Sequence, residues 1–211
     1  MLVKHITSTD IPAGILIFLP GTQEIRQCIA AISGVVTASD VDIYPLHANL
    51  TSGEQRAVFK PSKKWKIIAA TNVAEASGFQ SLRSRVAHCP PQTSITVDDV
   101  VYVIDGGKVK ETNYNPDTGL STLREQWVTR AAARQRRGRA GRTKPGMCYK
   151  VYTRKQEEDM DPFPIPEILR IPLESISLTV KVMREDEDVQ VGAWIYPCVS
   201  RPDCAPFYSI S

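Results

Sequence analysis

A chain of 211 residues, 42% hydrophobic and 23% charged, has the make-up of a globular protein and the length for one full domain and part of another. Its formal net charge of +3 identifies no partner, and no apolar run reaches the roughly 18 residues that a membrane helix needs. The first residues lack a secretory core and the five cysteines form no CxxC pair, so the expectation is an intracellular protein with reduced thiols and no membrane partner.

Ile15 to Leu19 is a continuous apolar run of strand length, as a strand buried on both faces requires. Pro20-Gly21 ends it. Thr22 is placed to cap a helix whose apolar positions Ile25, Cys28, Ile29 and Ile32 follow the i, i+3, i+4, i+7 rule. Asp42 to Leu46 predicts a second strand. Thr51 and Glu54 then make a capping-box pattern for a helix through Phe59. Trp65 to Ala70 and Val100 to Ile104 predict two more strands. Lys108 to Thr122 predicts a β-hairpin with its turn near residues 115–119. A helix rich in Ala and Arg follows from about Thr129, and Met147 to Tyr152 predicts a last strand. Strands alternating with helices imply a mostly parallel sheet covered on both faces. From about Pro164 the pattern changes, and Ile168 to Met183 predicts a helical segment with Leu173, Ile176 and Val180 on one face.

Charge is unevenly spread. Residues 124–144 carry eight basic side chains (Arg124, Arg130, Arg134, Arg136, Arg137, Arg139, Arg142 and Lys144) against one acid, Glu125. Such a cluster attracts phosphates, although a solvated helix face gives the same composition. Within it stands Gln135-Arg136-Arg137-Gly138-Arg139-Ala140-Gly141-Arg142. Glycines at 138 and 141 would allow a tight turn, and guanidinium groups offer a planar fork of donors to phosphate oxygens.

This string resembles motif VI of superfamily 2 helicases. Ala70-Thr71-Asn72-Val73-Ala74-Glu75-Ala76-Ser77, directly after a buried strand, resembles motif V of the DEAH-box family. ILIFLPGTQEI resembles motif IV, and Pro45 to Leu50 the adjoining RNA-contacting segment, with Asn49 where Ser or Thr is usual. VVYVIDGGKVKE with its hairpin, and PEILRIPLESI as the start of a winged-helix domain, complete the likeness over about residues 1–190.

The resemblance implies an α/β fold: a RecA-like parallel sheet with helices on both faces, the second lobe of a P-loop NTPase-type motor, plus a β-hairpin. It implies the C-terminal motor lobe of an ATP-dependent RNA helicase, with RNA, ATP and Mg²⁺ as partners and a first RecA-like lobe beside it, and the cytoplasm rather than the nucleus. Gln135, Arg139 and Arg142 become the catalytic candidates, the arginines as fingers on the transferring phosphoryl group. Phe59, Ser77, Thr96 and Asp98 become candidates for the nucleotide. His47, Asn49, Thr71 and Asn72 become candidates for the RNA backbone, and no metal ligand is expected in this lobe. Phe59 is read equally well as a core residue of its helix.

Two departures follow. No Walker A string, GxxxxGK[ST], and no DEAH box occurs in the sequence, so the chain reads as a fragment without the phosphate-gripping lobe. An inactive module that at most binds RNA weakly through its basic face is the alternative. Motif V is also split: residues 78–94, 17 in all, separate Ser77 from Ile95, and either Ser77 or Ser94 could serve as its serine. The expected layout is a helicase C-terminal domain over 1–163 with a foreign insert at 78–94, the start of a winged helix over 164–190, and an unrelated disordered tail over 191–211. Insert and tail read as translated intron, the insert alternatively as a surface loop.

Overall fold

The computed structural model describes residues 2–60, 62–72, 99–115, 120–141 and 144–165. The chain divides into two compact units, one of Met1–Glu111 and Glu125–Pro164, the other of Thr112–Arg124 and Ile165–Ser211. The expected insert 78–94, the predicted helix over 168–183 and the tail over 191–211 lie outside the described residues.

The elements run α1 (Leu2–Thr9), β1 (Gly14–Phe18), α2 (Thr22–Ser33), β2 (Val41–Leu46), α3 (Ser52–Val58), β3 (Trp65–Ala70), β4 (Val100–Asp105), β5 (Lys108–Asn115), β6 (Leu120–Trp127), α4 (Arg130–Arg137), β7 (Met147–Lys150) and α5 (Arg154–Glu158). Five strands form one sheet in the order β2-β3-β1-β4-β7, every pair parallel, and β5 pairs with β6. Parallel strands need both faces covered, which explains why β1 is apolar throughout and β3 apolar except at Lys66.

Side chains alternate between the two faces. Leu16, Phe18, Leu46, Ile68, Ala70 and Val103 form one layer with Val58 of α3 and with Ala140. Ile15, Ile17, Val41, Ile67 and Ile104 form the other, closed by Ile6 of α1 and Ile32 of α2. Each buried aliphatic side chain contributes about 1.5–3 kcal/mol. Polar groups close the amino ends of the strands. Lys66 is buried there, its Nζ donating to the Lys60 carbonyl at 3.0 Å and to Asp99 Oδ2 at 3.2 Å. A cavity of about 590 Å³ opens at the same end, between Lys4, Asp10, Asp40, Lys63 and Trp65.

Several expectations are corrected. Thr22 does not cap α2; Gly21 does, with no side-chain bond, and a Cβ there would stand 2.7 Å from Glu24 Oε2. The capping box of Thr51 and Glu54 forms as expected. The hairpin runs to Trp127 rather than Thr122, because β6 is exposed almost throughout and offers no alternation to read. β7 ends at Lys150, two residues early. α1 and α5 were not expected: α1 is short, with one fully buried anchor, Ile6, and α5 has only five residues and none buried. Among the described residues, no helix is long and apolar enough to cross a membrane.

Candidate functional site

The segments after β1, β2 and β3 leave the carboxyl ends of parallel strands. Leu46 and Ala70 are register partners at the ends of β2 and β3, and the Thr71 N–H donates to the Leu46 carbonyl at 3.1 Å. The segments with His47, Asn49, Thr71 and Asn72 therefore lie side by side. Asn49 and Asn72 are exposed, His47 is half-buried and Thr71 buried. His47 Nδ1 is buried with no hydrogen-bond partner among the described residues.

From that edge α3 begins. Glu54 Oε2 accepts from the Thr51 N–H at 2.9 Å and from its hydroxyl at 2.6 Å. The hydroxyl and then the N–H hold the Glu54 carboxyl below the usual carboxylate range. Phe59 caps the carboxyl end of α3 and packs, half-buried, on the layer that includes Ala140. That packing is what a core residue makes, and it leaves part of the ring accessible.

The arginine-rich string folds as α4 and the turn after it. Thr129 Oγ1 accepts from the Ala132 N–H at 3.2 Å and starts the helix. Gln135 is exposed, and Arg139 is half-buried in the turn, its N–H donating to the Arg136 carbonyl at 3.1 Å. Gly138 has φ −62°, a helical value open to any residue, and a Cβ on Gly141 would meet nothing within 4 Å. Neither glycine has a positive φ, so the turn does not call on the conformational freedom they would allow. Arg142, Ser77, Ser94, Thr96 and Asp98 lie outside the described residues.

Arg136 departs furthest from the reading of an exposed basic cluster. Its side chain is 0% exposed, and Nη1 lies 2.9 Å from Oδ1 of Asp105, itself 1% exposed, at the end of β4. Its guanidinium stands over the Phe18 ring at 4.8 Å. Tyr152 donates its hydroxyl to Asp105 Oδ2 at 3.2 Å. Burial, and then the Asp105 charge, push the Tyr152 hydroxyl well above its usual range. Gly107, the one glycine with positive φ (70°) among the described residues, donates its N–H to Asp105 Oδ1 at 2.9 Å. Sequence reasoning missed Asp105 and Tyr152. The signal was there: a carboxylate closing an otherwise apolar strand needs a buried partner. At the third residue of β5, Lys110 pairs with Glu24 of α2 at 2.7 Å, and that bond holds the Glu24 carboxyl below the usual range.

In strand order, the His47 and Thr71 segments leave β2 and β3, while α4 packs on β4, two strands from β3. A five-stranded parallel sheet with helices packed on both faces is an α/β architecture of the RecA-like kind. Residues 1–144 match the family described as Helicase conserved C-terminal domain. A DEAH-box ATP-dependent helicase of Mycosarcoma maydis is 49% identical over 86% of this chain and 11% of its own length. The human ATP-dependent DNA/RNA helicase DHX36 is 41% identical over 87% of this chain and 17% of its own. The crystal structure of the E. coli DExH-box NTPase HrpB superposes with a TM-score of 0.67 at 28% identity, covering 85% of this chain and 20% of that one. The chain belongs to the C-terminal helicase domain family of the DEAH-box helicases, and it spans between a tenth and a fifth of the length of these relatives.

Proposed function

We propose that the chain acts as the C-terminal motor lobe of an ATP-dependent RNA helicase, closing on a first RecA-like lobe so that ATP hydrolysis drives stepping along RNA. The observation that carries this is the placement of two groups: the segments of His47, Asn49, Thr71 and Asn72 side by side after β2 and β3, and Gln135 on α4 with Arg139 in the turn after it, tied to β4 through Arg136 and Asp105. Gln135 orients the attacking water, and Arg139 and Arg142 offset charge on the transferring phosphoryl group. Phe59 contacts the adenine, with Ser77, Thr96 and Asp98 on the nucleotide side. His47, Asn49, Thr71 and Asn72 hold RNA phosphates and sugars without reading base identity.

A guanidinium-and-amide donor set suits a triphosphate, so Gln135, Arg139 and Arg142 are the residues that would hold ATP here; bound ATP supplies the phosphoryl group that is transferred. In this proposal the Mg²⁺ ligands belong to the first lobe, and the layout is a helicase domain over 1–163 with an insert at 78–94, a winged-helix start over 164–190 and an unrelated tail. Because the 211 residues hold no GxxxxGK[ST] string, the chain by itself is expected to bind RNA and turn over no ATP.

RNA binding and ATP turnover of the purified chain test this. The expected result is sequence-independent binding of single-stranded RNA that weakens with salt, with a log–log slope of about −0.7 per phosphate contact, and turnover only after a first lobe is supplied. Binding that follows base sequence, or none at low salt, would overturn the proposal.

A further inference from the structure

We propose that Arg136 is a positioning residue: through Asp105 it ties the turn bearing Arg139 to the base of the β5–β6 hairpin, so that the two shift as one body. The idea rests on the motor-lobe reading for its purpose, but its geometry stands apart from it. Arg136 lies between Gln135 and Arg139 in the chain, and its carbonyl accepts the Arg139 N–H at 3.1 Å. On the other side, Nη1 donates to Asp105 Oδ1 at 2.9 Å and to the carbonyl of Lys108, the first residue of β5, at 3.4 Å. Asp105 Oδ1 also accepts the Gly107 N–H at 2.9 Å. The Gly107 carbonyl accepts from Val128, the residue after β6, at 2.9 Å. One buried carboxylate thus gathers the arginine helix, both feet of the hairpin and, through Tyr152, the segment after β7.

Packing alone does not call for this arrangement. A buried ion pair is a weak stabiliser compared with apolar residues of similar volume, because desolvation offsets most of its attraction. What it adds is direction. Hydrogen bonds at 2.9 Å are lost with a displacement of about 1 Å, whereas an aliphatic contact slides. The guanidinium fixes helix, strand end and hairpin base in one register, and Lys108 completes the base by placing Nζ 3.7 Å over the Trp127 ring. A shift of the turn on meeting a phosphate therefore has a stiff route to the base of the hairpin.

Amide hydrogen exchange of the 211-residue chain tests the link without ligand. In Arg136→Lys, which keeps the charge but loses the fork, exchange is expected to rise about tenfold or more at two places together: the amides of Gly107 and Val128, and those of Gly138 to Ala140. Amides of β1 and β3 stay as in the parent protein. Tyr152→Phe removes one bond from the same carboxylate and is expected to give the same paired pattern at smaller amplitude, so it carries the test if Arg136→Lys does not fold. Arg154→Ala, at an exposed ion pair, should leave both places unchanged. A rise confined to the turn, a rise confined to the hairpin, or a uniform rise across the sheet overturns the proposal. RNA binding by the parent chain is scored separately, so failure of the motor reading is distinguishable from failure of the link.

Discussion

Arg136 and Asp105 meet at 2.9 Å with both side chains withdrawn from solvent. Removing one member leaves the other charge buried without its counterpart. Asp105→Ala is therefore expected to lower stability by about 3–5 kcal/mol. Replacing both, as Asp105→Leu with Arg136→Met, should cost less than the single change, since no orphaned charge remains. Urea unfolding followed by far-UV circular dichroism reads this as a shift in midpoint at constant slope. A double variant less stable than Asp105→Ala would show that desolvation does not govern the pair.

Tyr102 and Asp10 make the corresponding bond at the amino end of the sheet, hydroxyl to carboxylate, at 2.7 Å. The Asp10 bond, burial and the Asp10 charge together push the Tyr102 hydroxyl up to about 12. Its folded value lies above its unfolded one, so the unfolded chain gives up the proton first. The contribution is complete below about pH 10 and is lost as pH rises toward 12. Stability against pH should fall through that window in the parent protein. In Asp10→Ala it should fall less steeply, with phenolate absorbance of Tyr102 appearing at lower pH. An identical alkaline limb in the two proteins would rule out the bond as its cause.

Much of this was legible because burial and period leave marks in the text. Trp65 to Ala70 is a strand buried at every position, and its text, apolar except at Lys66, gave its bounds without error. Thr51 and Glu54 form their capping box because both halves are local in sequence. The site was less legible because its chemistry joins residues far apart in the chain. Asp105 and Arg136 are 31 residues apart, and no local rule couples them. Gly21 rather than Thr22 caps α2, and with no side-chain bond there the local pattern could not mark the position. Phe59 packs half-buried on the core layer, as a core residue of its helix does.

Gly107 is the position where backbone conformation is most exacting. Its φ of 70° disfavours any L side chain, and a Cβ would fall 2.6 Å from Tyr152 Cδ1 and 3.1 Å from Trp127 Cζ3. Gly107→Ala should destabilise by more than the roughly 1 kcal/mol of conformational strain, because two rings must also move. Those rings meet edge to face at 6.3 Å, so their parting should change near-ultraviolet circular dichroism. An unchanged near-ultraviolet spectrum with an unchanged unfolding midpoint would contradict the crowding.

Gly146 tests how closely the arginine turn lies against the sheet. A Cβ there would collide with the carbonyl of Ala140 and fall 2.5 Å from the carbonyl oxygen of Val101 in β4. Both obstacles are backbone, so no change of rotamer relieves them, and the turn must lift from β4 or the strand must shift. Ala140 is 3% exposed and belongs to the core layer, so lifting the turn strips apolar contact as well. Gly146→Ala should therefore cost about 1–3 kcal/mol, in the range of overpacked cores. Ala140→Gly as a second change should give no rescue, because the colliding atom remains. If the double variant recovered the unfolding midpoint of the parent protein, the collision would have to lie with a side chain, and the close seating of the Arg139 turn on β4 would be wrong.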